Sequence, residues 1–210
     1  GFFTNDRMGL LFAGCAMYPQ EDFFAVFVIR KAFQNSEKWW IYSRTELITH
    51  ELTHIAHIGF RTRNYEEYLA YQTSESRFRR WIGGMFRTPR DTYLVLGSMF
   101  CLLLAQIVNI LVRPPEKVWA LPIPLVFGAA FAVVLSVVGR YVWNHRRFRR
   151  AAARLQPIFG SRAQAVLFRC SEAEIKELAG GRPDAVRDWL ENRRDRHLRW
   201  QVIWSKFGPD

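Results

Sequence analysis

Cysteine is scarce in this 210-residue sequence. The three cysteines, Cys15, Cys101 and Cys170, are odd in number and far apart, so they support neither a disulfide framework nor a zinc site built from paired cysteines. Internal repeats and low-complexity linkers are absent as well. Hydrophobic residues make up 50% of the chain, which excludes a disordered protein.

Charge is missing from two long segments, residues 94–112 and residues 118–139. Each segment is close to the length of about 20 residues that a helix needs to cross the hydrocarbon core of a bilayer. Only residues 113–117 separate them, so we predict a transmembrane helical hairpin with spans at about 93–113 and 118–139. Two buried helices of a soluble protein are the alternative, which is disfavoured because such helices usually keep a polar stripe.

Acidic residues are outnumbered by basic ones, 19 to 30, and the formal net charge is +11. The basic residues cluster before the first uncharged segment and after the second, whereas the loop between the segments has only Arg113 and Lys117. Positive residues remain on the cytoplasmic side, so both termini are predicted to be cytoplasmic. The lipid bilayer is therefore a predicted partner, and a nucleic acid is not.

The segment Leu11–Cys15 offers a different interpretation, because it looks like a lipoprotein cleavage box. The apolar stretch before Cys15 is at the very bottom of the length range of a signal-peptide core. A lipidated Cys15 would also place the N-terminal domain outside the cell, against the arginine asymmetry. A buried turn or strand is therefore the favoured interpretation.

Residues 23–29 form a continuous apolar run that is rich in strand-forming residues, and they predict a buried or half-buried β-strand. If this strand lies at the edge of a sheet, an extended peptide can pair with it. An ordinary core strand is at least as well supported. A helix is predicted next, over residues 43–59.

The predicted helix contains the sequence His50-Glu51-Leu52-Thr53-His54. Residues four apart lie on one face of a helix, so His50 and His54 can bind one Zn²⁺ ion while Glu51 lies beside it. Glu51 can take a proton from water that the zinc has acidified. A helix with two exposed histidines is the alternative. It is disfavoured by the apolar neighbours, which indicate a buried histidine face that needs polar partners.

A catalytic zinc site needs a third protein ligand. A second helix is predicted from Tyr65, with Asn64 as its N-cap. Here the sequence resembles the gluzincin metallopeptidases, in which a glutamate on the second helix binds zinc and a small residue follows three positions later. Glu67 with Ala70 matches that spacing, so the resemblance implies Glu67 as the third ligand, with Glu66 as the alternate. A helix start stabilised by acidic residues is the other explanation of this pair.

Many gluzincins have an acidic residue directly after the small one, where this sequence has Tyr71. Glu46, one turn before His50, is an alternative partner for a zinc-binding histidine. His57 lies near the same helix face but a turn further along. We interpret it as a residue beside the ligands or at the rim of the site, or, with slight preference, as a partly exposed polar residue. An oxyanion-stabilising donor is expected among five nearby residues, Tyr65, Tyr68, Tyr71, His57 and Arg63.

The resemblance implies a membrane-anchored, zinc-dependent endopeptidase, in which Glu51 activates the zinc-bound water and later passes the proton to the leaving amine. The substrate would be a peptide or protein, and the adjacent spans suggest membrane proteins or juxtamembrane segments. The alternative is a non-catalytic, membrane-tethered adaptor or sensor with a structural or regulatory zinc site. Tyr71 and the short interval between His54 and Glu67 keep that alternative open.

The predicted fold is mostly α with a small β component. It comprises a zincin-like α+β metallopeptidase domain at 1–90, the transmembrane hairpin at 91–140, and a basic juxtamembrane helix with a helical module at 141–210. The metal site and the module are predicted to be cytoplasmic. Ser171 and Glu174 fit a capping box that opens a helix, and a single second helix is predicted over about 183–206.

Overall fold

We describe the fold from a computed structural model, which describes residues 2–4, 14–17, 26–60, 64–112 and 122–209. The chain forms two compact units, one containing residues 1–84 and 146–210 and the other containing residues 85–145. The described residues are mostly helical with a small β component, as predicted. The zincin-like fold and the division into three domains stay predictions.

A three-stranded sheet belongs to the first unit. Strand β1 (Phe2–Thr4) lies parallel to β3 (Val26–Arg30), and β2 (Gly14–Met17), which contains Cys15, lies antiparallel on the other side of β3. Because β3 is the central strand, the edge-strand interpretation is wrong and the core-strand interpretation is confirmed. Residues 23–25 of the predicted strand lie outside the described residues. Pairing on both edges suits the apolar, strand-forming sequence of β3.

A short hairpin follows the 3₁₀-helix Lys31–Gln34. It consists of β4 (Lys38–Trp39) and β5 (Tyr42–Ser43), joined by a two-residue turn. The buried side chains of Ile29 and Phe33 pack against partly buried neighbours from this hairpin and from the next helix, Trp39, Tyr42 and Leu47. This small core fixes the start of the helix that carries the candidate site.

Helix α1 spans Arg44–His57, close to the predicted 43–59, and continues into the 3₁₀-helix Ile58–Phe60. The carboxylate of Glu37 holds its N-terminus by accepting hydrogen bonds from the Thr45 amide (2.8 Å) and the Ser43 hydroxyl (3.0 Å). The hydrogen bonds from Thr45 are the main reason that the pKa of Glu37 is lowered to about 2. A carboxylate at this end also complements the helix dipole.

Two short helices complete this part of the unit, α2 (Glu66–Gln72) and α3 (Arg77–Ile82), and the 3₁₀-helix Gly83–Met85 follows. The prediction that Asn64 caps α2 is wrong. Tyr65 occupies the N-cap position, and the side chain of Asn64 donates instead to the carboxylate of Glu172. A long-range partner has therefore displaced the local capping interaction.

The C-terminal part of the first unit is a set of short helices. They are the 3₁₀-helix Gly160–Arg162, α6 (Ala163–Leu167), α7 (Glu172–Gly180), α8 (Ala185–Arg196) and α9 (Leu198–Phe207). Helices α6 to α9 are called the C-terminal module below.

The N-terminus of α7 and the break between α8 and α9 test two sequence predictions. The capping box of Ser171 and Glu174 is confirmed, with both of its hydrogen bonds present. The single helix predicted over 183–206 is wrong, because the backbone of His197 is extended (φ −133°, ψ 118°) and separates α8 from α9. The break lets α9 fold back, so that the fully buried Trp200 donates to Glu174 over 2.8 Å.

The second unit contains helix α4 (Pro89–Val112) and the first part of α5 (Pro122–Phe159). Both helices are long and apolar enough to cross a membrane, and the most apolar segment of α4 has no buried residue. Arg140 pairs with Asp91 at 2.6 Å and so joins the start of α4 to the middle of α5. The loop with Arg113 and Lys117 lies outside the described residues. The predicted basic helix after the second span is confirmed as a continuation of α5.

Candidate metal centre

Helix α1 places His50 and His54 one turn apart on the same face, as their spacing predicts. Their Nε2 atoms lie 3.1 Å from each other, and the ring centroids lie 4.9 Å apart. Both side chains are mostly buried, with 18% and 15% of their surface exposed. Two imidazole nitrogens therefore converge on one point.

Glu67 of α2 completes the cluster. Its carboxylate oxygens lie 3.7 Å from His50 Nε2 and 3.6 Å from His54 Nε2. One ligand atom from each of the three residues lies within 4.8 Å of the other two, so the group could hold a metal ion. Ligand atoms about 2.0–2.1 Å from a tetrahedral zinc are about 3.4 Å apart. The separation of the two Nε2 atoms is close to that value, and so are the two distances to Glu67, of which His50 contacts Oε2 and His54 contacts Oε1. Two histidines and one glutamate are also a donor set of catalytic zinc sites.

Glu66, the alternate ligand, occupies a different position. Its carboxylate accepts a hydrogen bond from Nδ1 of His54 over 3.0 Å, on the opposite side of the ring from the Nε2 atom that faces Glu67. A carboxylate in that place orients a metal-binding imidazole and makes its free nitrogen more basic. The orienting acid that the sequence lacks at position 71 is thus supplied by the residue directly before Glu67.

His54 and Glu66 each stabilise the charged form of the other. Burial lowers the pKa of His54, but the hydrogen bond to Glu66 and the charges of Glu67, Glu66 and Glu51 outweigh it, so the pKa is raised overall. The same hydrogen bond lowers the pKa of Glu66. The contact between His54 and Glu66 therefore favours the charged form of both side chains.

Glu67 experiences the opposite environment. Burial raises its pKa, the charge of His54 opposes this, and the charges of Glu66 and Glu51 add to it, so that the pKa is raised overall. Three carboxylates thus surround two imidazoles in a partly buried site. A divalent cation would relieve that excess of negative charge, which is a second reason why these residues fit a metal.

His50 is poised as a neutral ligand. Burial lowers its pKa to about 4, the positive charges of His54 and Arg79 act in the same direction, and a hydrogen bond to the backbone of Ala70 opposes them. A neutral imidazole keeps a lone pair for a metal at neutral pH. The ring of Tyr71 packs edge-on against His50, with centroids 4.7 Å apart.

Glu46 does not contact either histidine through the hydrogen bonds that the structure records for it. Its carboxylate accepts from the hydroxyl of Ser74 and pairs with Arg79 at 2.8 Å. Arg79 in turn influences His50 electrostatically. Glu46 therefore lines the cavity beside His50 as the partner of Arg79, a residue that the sequence pattern did not single out.

His57 is buried rather than partly exposed, with 2% of its surface accessible. Its Nδ1 lies 2.7 Å from the carbonyl oxygen of Thr53, and its Nε2 lies 2.7 Å from the carbonyl oxygen of Phe168. Both ring nitrogens therefore face backbone acceptors. His57 connects the end of α1 to the C-terminal module and does not point at the metal cluster.

A cavity of about 160 Å³ opens beside the cluster. Its lining includes His50, the predicted base Glu51, and four residues from other elements, Gly14, Tyr42, Tyr71 and Arg79. Glu51 is close enough for its charge to act on both His54 and Glu67. Glu51, the predicted base, and His50 of the candidate metal cluster therefore line one cavity.

Tyr71 is the predicted oxyanion donor that lines this cavity, among the described candidates. Tyr65 and Tyr68 are buried elsewhere, and Arg63 lies outside the described residues. Burial raises the pKa of Tyr71, so its hydroxyl remains protonated and able to donate. A methyl group on Gly83 would come within 2.1 Å of the Tyr71 ring, so only glycine at position 83 leaves room for it.

The turn between α1 and α2 is attached to the C-terminal module at both ends. At the start of α2, the Asn64 amide donates to Glu172 over 3.2 Å and the Asn64 side chain donates to the same carboxylate. At the end of α1, Nε2 of His57 lies 2.7 Å from the carbonyl oxygen of Phe168. No local sequence signal indicated these contacts, because their partners are more than 100 residues apart.

Comparisons with protein-family models, with curated proteins and with solved structures gave no match. The likeness to gluzincins therefore remains a resemblance carried by residues 50–54 and 64–71. The structure supports a cluster of two histidines and a glutamate that could hold a metal ion, together with two helices that are apolar enough to cross a membrane.

Proposed function

We propose that the protein is a membrane-anchored, zinc-dependent endopeptidase of the gluzincin type. The observation that carries the proposal is the convergence of His50, His54 and Glu67 on one point, with Glu51 on the cavity beside them. The residues fit zinc in donor type, in spacing and in the excess of negative charge that they place together.

In this proposal zinc, when bound, supplies a Lewis acid that polarises the substrate carbonyl and acidifies water. Glu51 takes the proton of the attacking water and later delivers it to the leaving nitrogen. Tyr71 donates a hydrogen bond to the oxygen on which negative charge develops. Glu66 holds His54 in the orientation that directs Nε2 at the metal position, over the 3.0 Å contact described above.

Membrane insertion through α4 and α5 is the second part of the proposal. The apolar segment of α4 is exposed, and a bilayer is the solvent that would cover such a helix. The arginines on both flanks of the hairpin support a cytoplasmic location of the termini and of the metal site. Labelling of single cysteines introduced near each terminus, in intact cells, tests this orientation.

The catalytic role is tested by a substitution that keeps the metal. The full chain in detergent is compared with Glu51→Gln and with Glu191→Gln, which alters an exposed acid of α8. We expect about one zinc per chain in all three proteins. Cleavage of a mixed-sequence fluorogenic peptide library should fall about 10²- to 10⁴-fold in Glu51→Gln alone, because general base catalysis is lost.

A membrane-tethered sensor or adaptor is the second candidate function. It is favoured by the contacts that join the end of α1 and the start of α2 to the C-terminal module. A shift of these two helices on metal binding would be transmitted to the module through those contacts. Stoichiometric zinc without any Glu51-dependent cleavage would support this candidate over the peptidase. A chain that binds no zinc would contradict both.

A further inference from the structure

Four of the large apolar side chains that are exposed on the first unit lie on two neighbouring elements. Trp40 and Ile41 form the turn of the β4–β5 hairpin and are 68% and 59% exposed, while Phe78 and Trp81 of α3 are 68% and 58% exposed. Phe78 and Trp81 are three residues apart, so they share a face of α3. We call these four residues the aromatic edge.

Arg79 joins the two elements that carry the aromatic edge. Its guanidinium donates to the carbonyl oxygen of Ile41 over 3.3 Å and lies 5.0 Å from the centroid of the Tyr42 ring. The hairpin turn and α3 are therefore held side by side. The exposed side chains belong to one local surface.

The hairpin turn carries its apolar residues at an energetic cost. Trp40 has a positive φ of 53°, in a two-residue turn where glycine or asparagine is normally found. The left-handed conformation costs roughly 1–2 kcal/mol for a residue with a side chain. The Trp40 ring contacts the rings of Trp39 and Tyr42 on one side, yet 68% of the residue stays exposed, so this turn suits a surface that is covered by another phase.

We propose that the aromatic edge lies in the interfacial layer of the lipid bilayer, beside the point where the chain enters the membrane. Helix α3 ends at Ile82 and α4 begins at Pro89, so at most about 25 Å of chain joins the edge to the candidate span. Tryptophan is enriched at membrane interfaces. The exposed cations Lys38 and Arg77, in the same two elements, complement anionic headgroups.

This inference rests on the proposed function and narrows its substrate class. Tyr42 and Arg79 line the cavity together with His50 and Glu51, and the same two residues contact the aromatic edge. The cavity therefore opens next to the surface that we place at the bilayer. Its preferred substrates are therefore segments of membrane proteins where they emerge from the lipid.

The location of the edge is tested with fluorescent labels on the full chain, reconstituted in phosphatidylcholine vesicles with and without phosphatidylglycerol. Cys15 and Cys101 are replaced by alanine, and the buried Cys170 is left in place. An environment-sensitive fluorophore is attached to Trp40→Cys or Phe78→Cys. The control is Asn35→Cys, an exposed polar position in the same unit.

Labels at positions 40 and 78 should be quenched by nitroxide lipids and protected from iodide, and the label at position 35 should behave in the opposite way. Equal iodide quenching at all three positions would overturn the proposal. Protection from both quenchers would also overturn it, because a protein surface would then cover the edge. A circular dichroism spectrum equal to that of the unaltered protein shows that each labelled chain is folded.

The substrate class is tested with one peptide in two forms, free and attached to a lipid anchor in the vesicle. The double variant Trp40→Asp/Phe78→Asp should cleave the anchored form about tenfold more slowly or worse, with cleavage of the free form and zinc content unchanged, because apolar contact with the interface is lost. An equal loss on both forms would overturn the inference. If the unaltered protein cleaves neither form, the proposed function fails, while the labelling result still decides where the edge lies.

Discussion

The two histidines and the glutamate of the candidate metal centre are positioned by different parts of the chain. His50 and His54 lie one turn apart on the 14-residue helix α1, so their separation follows from helix geometry alone. Glu67 lies on a seven-residue helix whose start is bonded to Glu172, in the C-terminal module. The geometry of the histidine pair is therefore set within one helix, whereas the position of Glu67 depends on contacts between residues that are distant in the sequence.

This difference predicts which ligands keep their positions when distant residues are changed and which ligand moves. Helix α1 is long and its N-terminus is stabilised by Glu37, so the histidine pair persists as long as the helix does. Helix α2 is too short to be stable without packing. We therefore expect the position of Glu67 to depend on the contacts that α2 makes with the C-terminal module.

The largest expected effect on zinc affinity comes from a change to the histidine pair of α1. His54→Ala removes a ligand atom and the partner of Glu66, and we expect zinc affinity to fall by more than about a hundredfold, beyond the range typical for residues that only orient a ligand. Isothermal titration of the full chain with zinc measures it. His197→Ala, at an exposed histidine of the module, is the matched control and should bind zinc normally.

The next comparison separates two adjacent acids. Glu67→Gln should weaken zinc binding more than Glu66→Gln, because the first removes a ligand charge and the second removes an orienting hydrogen bond, worth about 10- to 100-fold. Both variants change the charge by the same amount, so each controls for the other. The reverse order of affinities would make Glu66 the ligand and would contradict the observed arrangement.

A smaller effect on zinc affinity is expected from Glu172, which accepts the hydrogen bonds of Asn64 at the start of α2. Glu172→Ala removes the acceptor of both Asn64 hydrogen bonds, and we expect zinc affinity to fall about three- to tenfold, because only part of a charged hydrogen bond of about 1.5–3 kcal/mol is transmitted to the site. Lys176→Ala removes the other partner of Glu172 and is the control. Unchanged affinity in Glu172→Ala would show that α2 keeps its position without the module.

The smallest effect concerns the module itself. Burial raises the pKa of Glu174, but hydrogen bonds from Arg199, from the Ser171 amide (2.7 Å) and from Trp200 outweigh it, and the pKa is lowered below 4.5. The folded state therefore gains stability from the ionised form above about pH 4.5 and loses it as the pH falls through the lowered pKa. Thermal unfolding in detergent should show this decline as the pH falls below about 4.5.

In Glu174→Gln the protein should already be less stable at neutral pH, and its unfolding temperature should change less over the same range. Glu191→Gln, at an exposed position of the same module, should follow the unaltered protein. An unaltered pH dependence in Glu174→Gln would assign the acid sensitivity to another group.

Local patterns predicted much of the fold. Helix α1, the capping box at Ser171 and both apolar helices were correct, because each depends on residues within a few turns of one another. The predictions for Asn64, the edge strand and the helix over 183–206 were wrong. In each of these the outcome was decided by a distant partner, Glu172 for the cap, β1 and β2 for the strand, and the buried contact of Trp200 for the break.

The sequence alone determined the pair of histidines with Glu51 beside them, because a helix repeats every 3.6 residues whatever surrounds it. The roles of Glu66 and Glu67 were decided only in the tertiary structure. Adjacent residues on a helix point about 100° apart, so the rotation of α2 against α1 selects which carboxylate faces both Nε2 atoms and which one faces Nδ1 of His54. That rotation is a property of packing, to which residues more than 100 positions away contribute.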